Sequence, residues 1–218
     1  MAKIIVISNS KGGTGKSTLC MQFANYLVAQ GKCVAVLDCD EGQSVMELRQ
    51  MELLQSQDAT LPWEVYNATS NSRSFVEKAR AMEDVYILVD CPGSLNPNLL
   101  AFFQNADAIV IPFRYDDVVV LRTMTFVKVL NAAQITAKKL FLPNYIDVRV
   151  KNPNEESIRE MFRKIGVVLP RIKQGVAIQR VSTLRPIDTY QQKAIMYTVE
   201  DILKAINNYC CPIKIGID

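Results

Sequence analysis

Short apolar runs alternate with longer segments of helical period along this chain. The apolar runs predict strands at 3–8, 33–38, 85–90, 108–112 and 139–144, a weaker strand at 64–66 and a short one at 167–169. The intervening segments predict helices at 16–30, 44–55, 72–82, 98–103, 117–133, 154–165 and 189 to about 208. Gly31 follows the first of these helices, at a position where a left-handed residue is favoured.

This alternation predicts a doubly wound α/β fold, in which helices cover both faces of a mostly parallel sheet. No repeat, low-complexity tract or linker divides the chain, so we expect a single domain over residues 1–218. Ligands of such folds bind at the loops that follow the carboxyl ends of the strands. The candidate chemistry is therefore sought in those loops.

Composition removes several classes of function. The chain has 218 residues and no histidine, which excludes His-based triads and His-ligated zinc. Its six cysteines contain no CxxC pair, and we expect them to be reduced and structural. No apolar run approaches the ~18 residues of a membrane span, and the amino-terminal apolar run is too short for a signal peptide, so we expect a cytoplasmic protein.

The loop after the first predicted strand contains a phosphate-binding pattern. It reads Lys11-Gly12-Gly13-Thr14-Gly15-Lys16-Ser17-Thr18, and it matches GxxxxGK[ST] except that Ser10 stands at the first glycine. The glycines let successive backbone N–H groups converge on phosphate oxygens, and the next helix points its positive end at the same anion. In this pattern Lys16 bridges the β- and γ-phosphates and the Ser17 hydroxyl ligates Mg²⁺. We therefore predict that residues 11–18 bind ATP and Mg²⁺.

Carboxylates stand at the ends of two further predicted strands. Asp90 ends the apolar run 85–90 in the Walker-B arrangement, which delivers one carboxylate to the water shell of Mg²⁺. Asp38 and Asp40 end the run 33–38. These two carboxylates either face the same site or serve as strand-end and helix-capping residues.

The signature KGGxGK[ST] at residues 11–17 resembles the ParA/MinD family of deviant Walker-A ATPases, and the small size is closest to partition proteins of the ParF and VirC type. The resemblance implies that Lys11 reaches across a two-fold dimer to the partner's nucleotide. It implies a first switch in which Asp40 orients the attacking water and Asp38 holds water on the metal. The chain has Glu41-Gly42-Gln43 where the family shows Pro-Gln-Gly.

Further site residues are implied by the same resemblance. The N–H of Gly93, in the second switch, would sense the γ-phosphate. Asn144 matches an adenine-reading position, and Pro170 and Arg171 match a second base-contacting loop.

The resemblance also implies a function. The implied function is slow, Mg²⁺-dependent ATP hydrolysis by a protein that forms a homodimer on binding ATP. Such a protein would act in DNA partition and would be stimulated by a centromere-binding adaptor protein. Residues 137–218 carry 14 Lys and Arg against 8 Asp and Glu, and family members bind DNA without sequence preference through such a basic surface. Lys173, Arg180 and Arg185 are the predicted DNA contacts, and DNA binding would associate the protein with the nucleoid.

Three other functions fit parts of the sequence. A MinD-like positioning ATPase shares the nucleotide site but carries a basic amphipathic anchor. Residues 209–218 are short, contain Pro and Gly and have one basic residue, so we expect a poor anchor and no attachment to a membrane. An iron–sulfur assembly ATPase requires bridging cysteines, which the adjacent Cys210 and Cys211 match poorly. A nucleotide-dependent accessory module for conjugative transfer or mobilisation would bind ATP with little turnover.

Overall fold

The computed structural model describes residues 1–56, 59–94 and 96–207, in which strands and helices alternate. The strands are β1 (Lys3–Ile7), β2 (Cys33–Asp38), β3 (Glu64–Asn67), β4 (Val85–Asp90), β5 (Ala108–Phe113), β6 (Lys138–Pro143) and β7 (Val167–Val168). The helices are α1 (Lys16–Ala29), α2 (Ser44–Gln55), α3 (Ser72–Ala81), α4 (Leu100–Gln104), α5 (Asp117–Ala132), α6 (Glu155–Arg163), α7 (Val176–Gln179) and α8 (Thr189–Asn207).

Two short elements differ from the sequence prediction. The helix expected at 98–103 is a 3₁₀ turn, Pro97–Leu99, followed by α4. The element begins one residue earlier than expected, because the Asn96 side chain accepts the Asn98 N–H and Pro97 is compatible with a first helical position. Helix α7 was not predicted, because a single turn of four residues carries no hydrophobic period. The other predicted strands and helices are confirmed, with small shifts at their ends.

All seven strands are parallel and lie in the order β3-β2-β4-β1-β5-β6-β7. This arrangement confirms the predicted doubly wound α/β fold. The central strand, β1, pairs with β4 on one side and β5 on the other. The register of β2 against β4 sets Asp38 opposite Asp90, so both carboxylates end at the same edge of the sheet.

Each face of the sheet has its own hydrophobic layer. Along β1, Ile4 and Val6 belong to the layer under α3, α4, α5 and α6, whereas Ile5 and Ile7 belong to the layer under α1, α2, α7 and α8. Burial of such a side chain contributes about 1.5–3 kcal/mol, so this alternation fixes which face of the sheet each helix covers.

The end of α1 confirms the role predicted for Gly31. Its φ of 72° is left-handed, its N–H donates to the Val28 carbonyl at 2.8 Å, and the Lys32 N–H donates to the Leu27 carbonyl at 3.0 Å. This is a Schellman motif.

The four cysteines in the described ranges are free. Cys20, Cys39 and Cys91 are buried, as expected of structural thiols, whereas Cys33 is exposed. Cys210, Cys211 and the segment 209–218, which we judged a poor membrane anchor, lie outside the described residues. Among the helices that are described, none combines the length and apolar character that a bilayer crossing requires.

A buried polar network fastens α2 to the loop before α8. Arg49 is 4% exposed, its Nε donates to Thr183 Oγ1 at 2.8 Å, and its guanidinium lies 4.4 Å from the centre of the Trp63 ring. Glu52 accepts the Thr183 N–H at 2.7 Å. Because Arg49 and Glu52 are one turn apart on α2, they hold Thr183 from the same side of the helix.

We expect Arg49→Ala to lower the free energy of unfolding by at least ~2 kcal/mol, since it strands buried acceptors and removes the contact with Trp63. The matched control is Arg163→Ala, which breaks an exposed ion pair with Glu156 and should cost less than ~1 kcal/mol. Urea denaturation measures both values. Equal losses in the two variants would contradict a structural role for the Arg49 network.

Candidate functional site

The loop between β1 and α1 is anchored to both neighbouring strands. The Asn9 side chain is buried, and its Nδ2 donates to the Pro112 carbonyl and to Thr123 Oγ1, each at 2.8 Å. On the other side, Ser8 Oγ donates to the Pro92 carbonyl at 2.8 Å. The base of the loop is therefore held between the ends of β4 and β5.

The tip of this loop has the backbone that phosphate binding requires. Gly13 and Gly15 have φ values of 75° and 85°, which only glycine adopts without strain. Helix α1 begins at Lys16 with no side-chain cap and no acidic residue in its first turn. Its N–H groups and the positive end of its dipole therefore have no side-chain acceptor and are available to an anion.

The loop after β4 contacts the backbone of the β1–α1 loop. A Cβ added at Gly93 would lie 2.1 Å from Ser10 Cα and 2.2 Å from the Asn9 carbonyl oxygen. Only glycine fits this approach. The segment predicted as the second switch is thus in direct backbone contact with the predicted phosphate loop.

Asp90 is the most unusual side chain of the site. It is 1% exposed, and neither of its carboxylate oxygens accepts a hydrogen bond from the described residues. Burial raises the pKa of Asp90 to about 7, and the Asp38 carboxylate adds to this rise, while the nearby Ser17 hydroxyl and Lys16 ammonium limit it.

A buried carboxylate without a partner is costly, and a cation would remove that cost. Mg²⁺ is held in proteins by one or two carboxylates together with waters and phosphate oxygens. Among the described side chains no three Cys, Asp or Glu converge as a metal-binding group, so Asp90 and the Ser17 hydroxyl fit this sparse type of site.

Asp38 and Asp40 lie beside Asp90 but have different surroundings. Asp38 is buried, and its Oδ2 accepts the N–H groups of Val45 and Met46 at 3.0 and 3.2 Å, so it caps the first turn of α2. Burial raises the pKa of Asp38, and these backbone N–H groups oppose the rise. Asp40 is only partly buried, and its N–H donates to Asp38 Oδ1 at 3.3 Å. The helix-capping alternative therefore describes Asp38, and Asp40 is the more accessible carboxylate.

Asn144 lies against the phosphate loop. Its Nδ2 donates to the Thr14 carbonyl at 2.8 Å and would be 2.7 Å from a Cβ placed at Gly15. Its Oδ1 is buried without a partner in the described residues, and is left as an acceptor.

The loop with Pro170 and Arg171 runs beside the one that follows β6. The Ile172 N–H donates to the Pro143 carbonyl at 2.8 Å, and the Ile146 N–H donates to the Ile172 carbonyl at 3.1 Å. Arg171 is paired with Glu155 at 2.7 Å. The fold therefore brings Asn144 and residues 170–171 onto neighbouring loops, as their proposed common role requires.

The predicted cations are exposed or half-buried. Lys11 and Lys16 are half-buried, whereas Lys173, Arg180 and Arg185 are exposed. None of the five forms an ion pair with a described residue. Sequence reasoning missed Asn9, because an asparagine before a glycine-rich loop has no distinctive spacing.

Asp90 gives the protein a measurable pH dependence. Its pKa is about 7 when folded and ~3.9 when unfolded, so the folded state binds more protons between these values and stability falls as pH rises through them. We expect Asp90→Asn, measured without metal or nucleotide, to be more stable than the native chain at pH 8 by up to ~4 kcal/mol. The difference should shrink at pH 5.

The matched control for this pH experiment is Asp147→Asn. Asp147 is an exposed carboxylate whose pKa is lowered to about 2 by its hydrogen bonds to Arg149, so its removal should not stabilise the protein at pH 8. Denaturant titrations at both pH values measure the effects. An Asp90→Asn difference that is the same at pH 5 and pH 8 would contradict the raised pKa.

Several named proteins are similar to this chain in sequence or in fold. The MinD septum site-determining protein of Escherichia coli strain K12 is 26% identical over 182 residues, covering 80% of this chain and 62% of that protein, so the chain spans less than two thirds of its relative. A putative plasmid partition protein of Borrelia burgdorferi B31, bound to AMPPNP, superposes with a TM-score of 0.71 at 17% identity over 95% of this chain and 99% of its own. The Pyrococcus horikoshii MinD complexed with Mg-ADP gives 0.67 at 21% identity over 93% and 96%.

A family model described as ATPase MipZ matches residues 3–140. This range is more than half of the chain, and it contains the glycine-rich loop, Asp38, Asp40, Asp90 and Gly93. The structural neighbours share the fold over 93–95% of this chain. The chain belongs to the MipZ family of ATPases, within the ParA/MinD group of phosphate-loop proteins.

Proposed function

We propose that this protein binds ATP with Mg²⁺, dimerises on binding and hydrolyses the nucleotide slowly. The observation that carries the proposal is the buried, unpartnered Asp90 carboxylate, which lies beside Ser17 and Lys16 at the uncapped start of α1. Negative phosphates suit the helix terminus and a cation suits the carboxylate, so the two features fit one ligand, a metal–nucleotide complex.

Each part of the loop has a distinct task in this proposal. Residues 11–18, which include Gly12, Thr14 and Thr18, cradle the phosphates, and the left-handed φ of Gly13 and Gly15 curls the backbone so that its N–H groups can converge on them. Lys16 neutralises the β- and γ-phosphates. Ser17 and Asp90 hold Mg²⁺, which neutralises charge on the phosphates, and Asp38 supports its water shell while capping α2.

The adenine base is assigned to the loops after β6 and β7. The unpaired Oδ1 of Asn144 is an acceptor suited to the adenine amino group, since its Nδ2 is already used by Thr14. Pro170 and Arg171 flank this position from the neighbouring loop.

Dimerisation is assigned to the same edge of the sheet. Lys11 has no ion-pair partner among the described residues of its own chain, which suits an ammonium that reaches the nucleotide of a second copy. Large apolar side chains are exposed next to the site at Val118, Leu121, Val148 and Val150. A second copy would cover them.

Hydrolysis is assigned to Asp40, which orients water towards the γ-phosphate, while the Gly93 N–H senses that phosphate. Asp40 is partly exposed, so it positions water poorly until a partner orders the first switch. This arrangement supports slow basal turnover and stimulation by an adaptor protein that binds a centromere-like DNA site.

We assign the ATPase to DNA partition or segregation. The assignment is supported by the structural likeness to a plasmid partition protein and by the exposed, unpaired Lys173, Arg180 and Arg185, which suit non-specific DNA. A MinD-like positioning role is favoured by the 26% identity to MinD over 80% of the chain. Retention on duplex DNA with ATP supports partition, and retention on anionic vesicles supports the MinD-like role.

Two lysine variants test the nucleotide site and the dimer separately. We expect Lys16→Ala to abolish nucleotide binding, because the phosphates lose their main cation. Lys11→Ala should bind ATP as a monomer and fail to dimerise. Titration calorimetry and ultracentrifugation with ATP and Mg²⁺ measure the two steps. A Lys11→Ala variant that still dimerises would remove the cross-dimer role.

We expect Asp40→Ala to accumulate as an ATP-bound dimer, with turnover reduced at least ~10-fold, because water loses its orienting acceptor. Glu41→Ala is the matched control, since its carboxylate is next in sequence and exposed, and its turnover should stay within about twofold of the native value. Phosphate release under single-turnover conditions measures both. Native turnover in Asp40→Ala would reassign the water-positioning role.

A further inference from the structure

The outer face of α8 presents two tyrosines that the nucleotide site does not use. Tyr190, Lys193 and Tyr197 follow the spacing i, i+3, i+7, which puts them on one side of the helix; we call this set the tyrosine face. The rings are strongly exposed, at 66% for Tyr190 and 65% for Tyr197. At ~1.5 Å of rise per residue they stand about 10 Å apart along the axis.

The buried side of α8, which adjoins the tyrosine face, is bonded to both basic segments of the carboxyl-terminal third. Gln191, next to Tyr190, donates from Nε2 to the Arg180 carbonyl at 2.7 Å. Thr198, next to Tyr197, donates to the Pro170 carbonyl at 3.2 Å, on the segment that leads to Lys173. Each tyrosine therefore adjoins an anchor that fixes a cationic segment to α8.

The positive charge around these rings is not neutralised by ion pairs. Lys173, Arg180, Arg185 and Lys193 are exposed, and none forms an ion pair with the part of the chain that is described. Carboxylates also lie in this region. Asp188 accepts the Gln191 N–H at 2.8 Å as a helix cap, Glu52 lines the same cleft as Arg185, and Asp201, one turn after Tyr197, pairs with Lys204 at 3.0 Å.

A cleft of about 660 Å³ lies between α7 and the start of α8. Its walls include Arg180, Arg185 and Gln191 together with the carboxylates Glu52 and Asp188. Tyr190 precedes Gln191 in the chain. A cleft of this volume is large enough for a nucleobase or a similar planar group. A concave space with charged walls therefore lies at the start of the helix that carries the exposed rings.

We propose that the tyrosine face and its flanking cations bind single-stranded DNA. The cations contact backbone phosphates, and the rings of Tyr190 and Tyr197 stack on unpaired bases, an interaction that every base allows. In a duplex the faces of the bases are already stacked on each other, so the tyrosines add little there. This inference rests on the proposed function, of which it names a preferred form of DNA.

The test compares strand forms of one sequence with the full chain in ATP and Mg²⁺. A fluorescein-labelled 30-nucleotide DNA strand, its duplex and the same strand as RNA are titrated by anisotropy at two or more salt concentrations. We expect tighter binding to the DNA strand than to the duplex. Replacing both Tyr190 and Tyr197 by Ala should weaken strand binding about tenfold or more and leave duplex binding unchanged.

Matched variants separate stacking from other effects. Tyr190→Phe with Tyr197→Phe should keep strand binding, because the rings remain. Tyr66→Ala, which removes an exposed ring on β3 at an outer edge of the sheet, should have no effect. Arg180→Gln with Arg185→Gln should weaken both forms and lower the salt dependence by about two phosphate contacts.

The outcomes distinguish this inference from the proposed function. If the double Ala variant binds the strand as the native chain does, or if the native chain prefers duplex or RNA, the tyrosine assignment is wrong while ATP-dependent DNA binding stands. If neither DNA form is retained although ATP still produces a dimer, the partition role fails as well. ATP affinity of each variant, which should equal that of the native chain, verifies that the variants are folded.

Discussion

The site depends on a carboxyl group that the fold buries without a hydrogen-bond partner among the described residues. Asp90 ends a strand in the centre of the sheet, where water is excluded and neither of its carboxylate oxygens accepts a hydrogen bond from a described residue. The same edge of the sheet carries the uncapped, positive start of α1. Because the strands are all parallel, their carboxyl ends place Asp90, which favours a cation, close to the start of α1, which favours an anion. A ligand that contains both a cation and phosphates would suit both groups.

The sequence predicted most of this architecture because its periodic signals are strong. Apolar runs such as 85–90 are short and β-branched, and the glycine-rich loop at 11–18 lies between a strand and a helix, so element type and order followed directly. Sequence did not predict α7, because one helical turn has no period. It also did not predict the Arg49–Thr183 contact, which joins residues far apart in the chain and depends on packing.

The two carboxylates at the end of β2 show what the residue pattern alone does not predict. Asp38 is the last residue of its strand and Asp40 follows two residues later, and the residue pattern alone does not assign them different roles. The structure distinguishes them. The Asp38 side chain is buried and accepts hydrogen bonds from backbone N–H groups in the first turn of α2, whereas Asp40 is more accessible. Gln43 has a φ of 41° at the position where the resembling pattern has glycine, so the departure Glu41-Gly42-Gln43 retains the left-handed turn at a cost of about 1 kcal/mol.

The two hydrogen bonds from Asn9 have a mechanical consequence. One amide group donates to both the end of β5 and the first half of α5, so the loop predicted to bind phosphates is coupled to the helix that carries Val118 and Leu121. Tilting that helix from outside would tighten or loosen the grip on a bound nucleotide. In the proposed ATP-bound state, a contact on the outer surface of that helix would therefore reach the nucleotide loop without entering the site.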